Sequence, residues 1–174
     1  MEFQTIDDDI YNPKIYGSAT FDGSLQALGF SMSSVDVDPN TTGVQTGTAT
    51  AGQEIELHFT IDNPNSFFGQ HDASNVSFQF DVAAFHAGHQ AINLPAGSFC
   101  GSGSSASLSS GSSSFINFSN LSVAEGASCN FTIGVLTPES QPAATLVYRT
   151  SALSAPLTTI NQTVTSAYQE SQIG

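Results

Sequence analysis

Glu54-Ile55-Glu56-Leu57-His58-Phe59-Thr60-Ile61-Asp62 alternates without a break. Ile55, Leu57, Phe59 and Ile61 fall on one side; Glu54, Glu56, His58, Thr60 and Asp62 fall on the other. A period of two is that of a pleated strand with one face in a core and one in water. Asn63-Pro64-Asn65 ends the run, because proline donates no ladder hydrogen bond and biases the residue before it. Val76, Phe78, Phe80 and Val82 repeat the pattern, with Ser77, Gln79 and Asp81 outward. These two segments read as central strands of a sandwich.

Working outward, Phe30, Met32 and Ser34 share one side, and Val35-Asp36-Val37-Asp38 alternates in the opposite phase. That switch predicts a strand with a bulge. Residues 83–99 are irregular and read as a crossing between sheets. Gly101 to Ser114 is nearly all Ser and Gly, with Ala106 and Leu108 its only apolar residues; it reads as a flexible linker or, given Leu108 and the flanking cysteines, as a polar strand tethered by a disulfide. Phe115-Ile116-Asn117-Phe118 and Leu121-Ser122-Val123 follow, and Ser128 to Val135, Thr145 to Thr150 and, more loosely, Leu157 to Tyr168 supply further strands. Cys129, Phe131, Ile133 and Val135 are inward in the second of these. The spacing predicts an all-β chain, an immunoglobulin-like β-sandwich of about seven to nine strands. Residues 1–27 read as an N-terminal arm, 28–156 as the sandwich, and 157–174 as a C-terminal strand or tail. No repeat of solenoid length is visible.

Charge narrows the partners. Fifteen acidic residues face two basic ones, Lys14 and Arg149, for a net charge of −13. Such a surface repels phosphate backbones and anionic lipid, which excludes nucleic-acid binding and argues against a membrane surface. Ser and Thr make up roughly a quarter of the chain, well above average usage. No apolar run approaches the length of a membrane span. Met1-Glu2-Phe3-Gln4 lacks the basic and apolar regions of a signal peptide. The two cysteines, Cys100 and Cys129, form no CxxC pair. In an extracellular chain they read as one disulfide closing a loop of about 30 residues, contributing about 3–4 kcal/mol in the chain-entropy picture. The alternative is two buried thiols.

A resemblance rests on particular stretches. Phe30-Ser31-Met32 opens a strand, and Ala51-Gly52-Gln53 precedes the alternating Ile55 to Asn63. Leu94-Pro95-Ala96-Gly97 leads to Cys100-Gly101, and Ala124-Glu125-Gly126-Ala127-Ser128 leads to Cys129. Over roughly residues 28–152 the chain resembles the DUF11-like, immunoglobulin-like repeat domains of bacterial cell-surface proteins. The segment holding Phe85-His86-Ala87-Gly88-His89 departs from that pattern, and the last strand lacks a Gly-x-Tyr-x-Asn. The resemblance implies a stalk or adhesin module and carries over no catalytic residue.

Several clusters carry possible chemistry. His86 and His89, with His71 and Asp72 upstream, form the best transition-metal set if a loop lets them converge. Asp7, Asp8, Asp9, Asp36 and Asp38 are the calcium candidates, making calcium the one cofactor to consider; their spacing matches no EF-hand. No Gly-x-Ser-x-Gly elbow is present. Glu54 and Glu56 share a strand face and read as solvated carboxylates rather than a glycosidase pair. Lys14, the sole lysine, is the only residue that could enter a Lys–Asn isopeptide bond. Asn-x-Ser/Thr triplets begin at Asn40, Asn75, Asn117, Asn120, Asn130 and Asn161.

The leading expectation is a non-enzymatic, extracellular or cell-surface structural or adhesive module whose partners are proteins or glycans. A filament subunit is the second, assembled by strand donation through Ile10, Ile15 and Tyr16 or through Leu157, Ile160 and Val164. A glycan-binding module using Tyr11, Tyr16, Phe67 and Phe68 is the third, weakened by the absence of Trp.

Overall fold

The computed structural model describes residues 28–37, 51–65, 72–140, 146–157, 162–166 and 170–173. These residues form strands and connecting loops, with no helix among them. In chain order the strands are β1 (Gly29–Val37), β2 (Glu54–Asp62), β3 (Ala73–Asp81), β4 (Gln90–Ile92), β5 (Ser105–Leu108) and β6 (Phe115–Val123). They continue with β7 (Ser128–Leu136), β8 (Leu146–Arg149), β9 (Leu153–Leu157), β10 (Gln162–Ser166) and β11 (Glu170–Ile173).

Two antiparallel sheets face each other. One has four strands in the order β1-β2-β7-β4, the other five in the order β10-β9-β3-β6-β5. A two-stranded piece, β11-β8, completes the set. The architecture is an immunoglobulin-like sandwich, as the alternation at residues 54–62 predicts. The strand number exceeds the expected range, since β4, β9 and β11, of three to five residues, are too short for hydrophobic periodicity to resolve. The irregular 83–99 does cross over, leaving β3 in one sheet and entering β4 in the other.

The core follows from the alternation. Ile55, Leu57, Phe59 and Ile61 of β2 meet Phe131, Ile133 and Val135 of β7 on one inner face. Val76, Phe78 and Phe80 of β3 and Ile116, Phe118 and Leu121 of β6 form the other. Phenylalanines fill the middle. Phe59 stacks on Phe131 at 5.2 Å, and Phe78 on Phe118 at 4.4 Å. Pairs in such geometry add about 0.5–1.5 kcal/mol beyond the area they bury. Cys100 and Cys129 are joined, with Cα atoms 5.6 Å apart, tying the loop before β5 to β7. At the exit of β2, Asn63 is buried and donates Nδ2 to Val123 O at 3.1 Å, pinning that corner to the end of β6.

The bulge expected in the first strand is absent. β1 pairs with β2 in one continuous register from Gly29 opposite Asp62 to Val37 opposite Glu54. The backbone ladder, set by the unbroken β2, decides the register, and a change of apolar phase on one strand does not require an inserted residue.

The irregularity lies in the other sheet. Ala73 pairs with Val123, Val76 with Leu121, and Phe78 with Phe118. β3 therefore carries an extra residue in the first interval and β6 an extra residue in the second, so the two bulges cancel. Asn75 and Asn120, at φ of 53° and 56°, occupy them. Asparagine tolerates this left-handed region better than most side chains.

Candidate functional site

The two sheets present different outer faces. On the four-stranded sheet, β2 turns out Glu54, Glu56, His58, Thr60 and Asp62, none of them buried. Asn93 donates Nδ2 to Glu54 Oε1 at 2.5 Å, His58 Nε2 lies 3.1 Å from Glu56, and Ser128 donates to Asp62. Glu54 and Glu56 are thus engaged by neighbours on an open strand face, the solvated reading of that pair.

The five-stranded sheet turns out amides and hydroxyls along its middle, with Asp81 at the end of β3. Gln79 of β3 is opposite Asn117 of β6, which is opposite Ser107 of β5. Gln79 donates Nε2 to Asn117 Oδ1 at 3.1 Å, and Asn117 donates Nδ2 to Ser109 Oγ at 2.7 Å. Ser105 and Ser119 share a hydrogen bond at 2.9 Å. These are the cross-strand contacts that fix side chains on a sheet. Next to them β9 pairs with β3 through a register shift between Ala73–Leu157 and Ser77–Ser154. Gln79 N donates to Ser151 Oγ at 2.8 Å, just ahead of β9. Between the Ser77–Ser154 pair and this contact lies an open depression of about 360 Å³ rimmed by Ser77, Gln79, Asn117, Ser119, Ser151 and Ser154, above Phe78 and Phe118. No ionisable residue lines it. In a chain of net charge −13, this neutral, pre-ordered face is the most distinctive surface among the described residues.

A second cluster lies at the β3–β4 loop. His89 is 1% exposed, and its Nδ1 shares a hydrogen bond with Tyr148 Oη at 2.9 Å. His86 stacks on His89 at 5.3 Å and meets Tyr148 edge-on at 6.0 Å. Burial holds the Tyr148 phenol well above its ordinary range, so it stays protonated. His89 is therefore a core residue with a satisfied ring, not part of a solvated loop. Arg149 lies 5.3 Å over the ring of Phe85, which is 53% exposed. That is a cation–π contact at the surface.

The remaining sequence-based sets are placed only in part. Among the described residues no three His, Cys, Asp or Glu side chains gather as a metal site. Asp72 is exposed and accepts from Glu125 N at 3.0 Å, while His71 lies outside the described residues. Asp7, Asp8, Asp9 and Asp38 also lie outside them, and Asp36 is a β1 residue opposite Ile55. Lys14, Tyr11, Tyr16, Phe67, Phe68, Ile10, Ile15 and Ile160 lie outside them as well. Leu157 ends β9 opposite Gln162, and Val164 in β10 is opposite Ala155. Gln79, Asn117 and Tyr148 went unremarked as functional positions in the sequence. The available signal was that outward positions on β3 and β6 carry Ser, Asn and Gln, with Asp81 at the end of β3 the exception, where those on β2 carry three carboxylates.

No protein-family model matches the chain, and no curated protein matches it. Solved structures do. A non-cellulosomal cohesin from the hyperthermophilic archaeon Archaeoglobus fulgidus is 8% identical at a TM-score of 0.50, covering 83% of this chain and 91% of that one. A putative membrane-anchored protein from Corynebacterium diphtheriae is 8% identical at a TM-score of 0.39, covering 90% of this chain and 37% of that one. A family 123 glycoside hydrolase from Clostridium perfringens is 12% identical at 0.33, with 84% and 27% covered. The chain thus spans well under half the length of the last two. The similarity to the cohesin is one of fold: the chain shares the immunoglobulin-like sandwich of a cohesin module.

Proposed function

We propose that this chain is a non-enzymatic extracellular module, structural or adhesive, that docks a protein partner through the neutral outer face of the five-stranded sheet. The carrying observation is the ordered row Gln79–Asn117–Ser109 beside an uncharged depression on an otherwise acidic molecule. Side chains already held by one another lose little freedom on binding. Absence of charge removes the repulsion that the rest of the surface imposes on acidic partners. The Cys100–Cys129 disulfide supports an oxidising, extracellular location. It also joins the two stretches on which kinship with immunoglobulin-like surface repeats rests. Among the described residues no helix is long and apolar enough to cross a membrane.

The test compares two variants for retention of surface proteins from the producing cells on immobilised protein. Gln79→Lys with Ser151→Lys places charge on the neutral face; His58→Lys places it on the other sheet. Loss of a specific retained protein with the first pair alone supports the reading. Equal retention by both overturns it, as does hydrolytic turnover abolished by a single Ser or His substitution.

A filament is the second reading. β10 and β11, drawn from the tail, already pair as strands on β9 and β8. The same pairings made between copies would link them. Electron microscopy at high concentration, with and without millimolar calcium, decides it: fibres lost on removing residues 158–174 support it, and monomers throughout overturn it. Binding to a broad glycan array with no protein partner retained would favour the glycan reading instead.

A further inference from the structure

We propose that Asn75 and Asn120 are acceptor sites for asparagine-linked glycans. Four of the Asn-x-Ser/Thr triplets fall among the described residues: Asn75-Val76-Ser77, Asn117-Phe118-Ser119, Asn120-Leu121-Ser122 and Asn130-Phe131-Thr132. The fold separates them into two kinds. Asn117 is half-buried in mid-strand, with both ends of its amide held by Gln79 and Ser109. A sugar on its Nδ2 would displace the Ser109 contact and spread over β3 and β5. Asn130 stands in extended backbone opposite Thr60, and its Oδ1 accepts from Thr60 Oγ1 at 2.7 Å.

Asn75 and Asn120 differ in backbone conformation and in partners. Both are exposed, as Asn130 is and Asn117 is not. Both sit at the paired bulges, at positive φ, where the extra residue leaves the ladder and the chain turns. Neither amide is held by another side chain among the described residues. A bulky, soluble group attached at either point enters solvent without breaking a strand pairing. They lie toward the Ala73–Val123 end of the β3–β6 pair, and Gln79 and Asn117 toward the other end, so a glycan at either site borders the neutral face beside Ser77 and Ser119.

Tolerance of the left-handed region explains asparagine at both bulges, but it is indifferent to the residue two positions on. Both bulges nonetheless carry Ser there, Ser77 and Ser122, which completes the acceptor triplet twice. The transfer needs a glycosyl donor carried on a lipid phosphate and a transferase outside the cytoplasm. The asparagine Nδ2 forms a bond to the sugar C1 as the bond from C1 to the phosphate oxygen breaks. The amide proton passes to a base of the transferase, and the lipid phosphate leaves. The inference goes beyond the docking reading and depends only on export and on that donor and transferase.

The experiment is peptide mass mapping of the protein purified from the cells that make it, after enzymatic release that converts each occupied asparagine to aspartate. Asn75 and Asn120 are expected converted, and Asn117 and Asn130 unchanged. Ser77→Ala and Ser122→Ala each remove one glycan from the intact mass while keeping the asparagine its bulge requires; Ser77→Thr and Ser122→Thr retain it. Unmodified Asn75 and Asn120 peptides overturn the proposal, as does occupancy confined to Asn117 or Asn130. Each site stands or falls on its own peptide.

Discussion

Ser74 and Tyr148 show how differently two partly polar side chains fare at the edge of one core. Ser74 Oγ is buried beside the first bulge and has no hydrogen-bond partner among the described residues. An unmet buried hydroxyl costs about 1–3 kcal/mol. Ser74→Ala is therefore expected to raise stability by about 1 kcal/mol in urea titration; a loss would mean the hydroxyl has a partner. Tyr148 is the converse case. Its hydroxyl satisfies buried His89 Nδ1, so Tyr148→Phe should cost about 1–3 kcal/mol at neutral pH. Its pH dependence has a definite sign. Burial raises the phenol's pKa in the folded state, so the unfolded chain ionises first. The stabilising contribution is complete below about pH 10, the unfolded value, and is lost as pH rises beyond it. The alkaline loss of stability should be shallower in Tyr148→Phe than in the parent, compared by denaturation at several pH values.

At the scale of elements, the loop that leads from Cys100 into β5 depends on backbone conformations few residues adopt. Gly101 has φ +89, and a Cβ there would lie 2.8 Å from Ser122 Cβ; Gly103 has φ +84 and open space. Gly103→Ala should cost about 1–2 kcal/mol from the left-handed backbone alone. Gly101→Ala should cost more, and the difference in thermal unfolding measures the contact with β6. Reducing the disulfide should remove about 3–4 kcal/mol, read as a shift in urea midpoint with and without reductant. The long strands were legible in the sequence because β2, β3 and β7 each bury alternate residues. The short β4 was not, since three residues hold too little periodicity; the polar strand expected within Gly101 to Ser114 is β5, which buries nothing fully. The bulge was assigned to the wrong strand. Apolar phase alone cannot distinguish an inserted residue from an edge strand with mixed faces, and the two real bulges cancel and leave the outer pattern nearly intact. The neutral face was invisible for another reason. Gln79 lies 38 residues from Asn117 in sequence, and only the pairing of β3 with β6 and the β5–β6 turn brings Gln79, Asn117 and Ser109 together.

For the molecule as a whole, stability rests on packing and backbone pairing, since two cations cannot offset fifteen carboxylates. Self-repulsion opposes compaction, and salt screens it. The melting temperature should therefore rise between about 10 mM and about 150 mM salt, as the screening length falls from about 30 Å to about 8 Å. A flat response would mean the carboxylates are already compensated. The bond from Cys100 to Cys129 also has a mechanical meaning. It closes a covalent loop across a separation of 29 residues, and that loop contains all of β5 and β6. A molecule pulled from its two ends would extend roughly 100 Å less than its full contour length. Under load, the strands bearing Asn117 and Ser119 would remain a tethered loop on β7, shielded from the tension that unravels the rest.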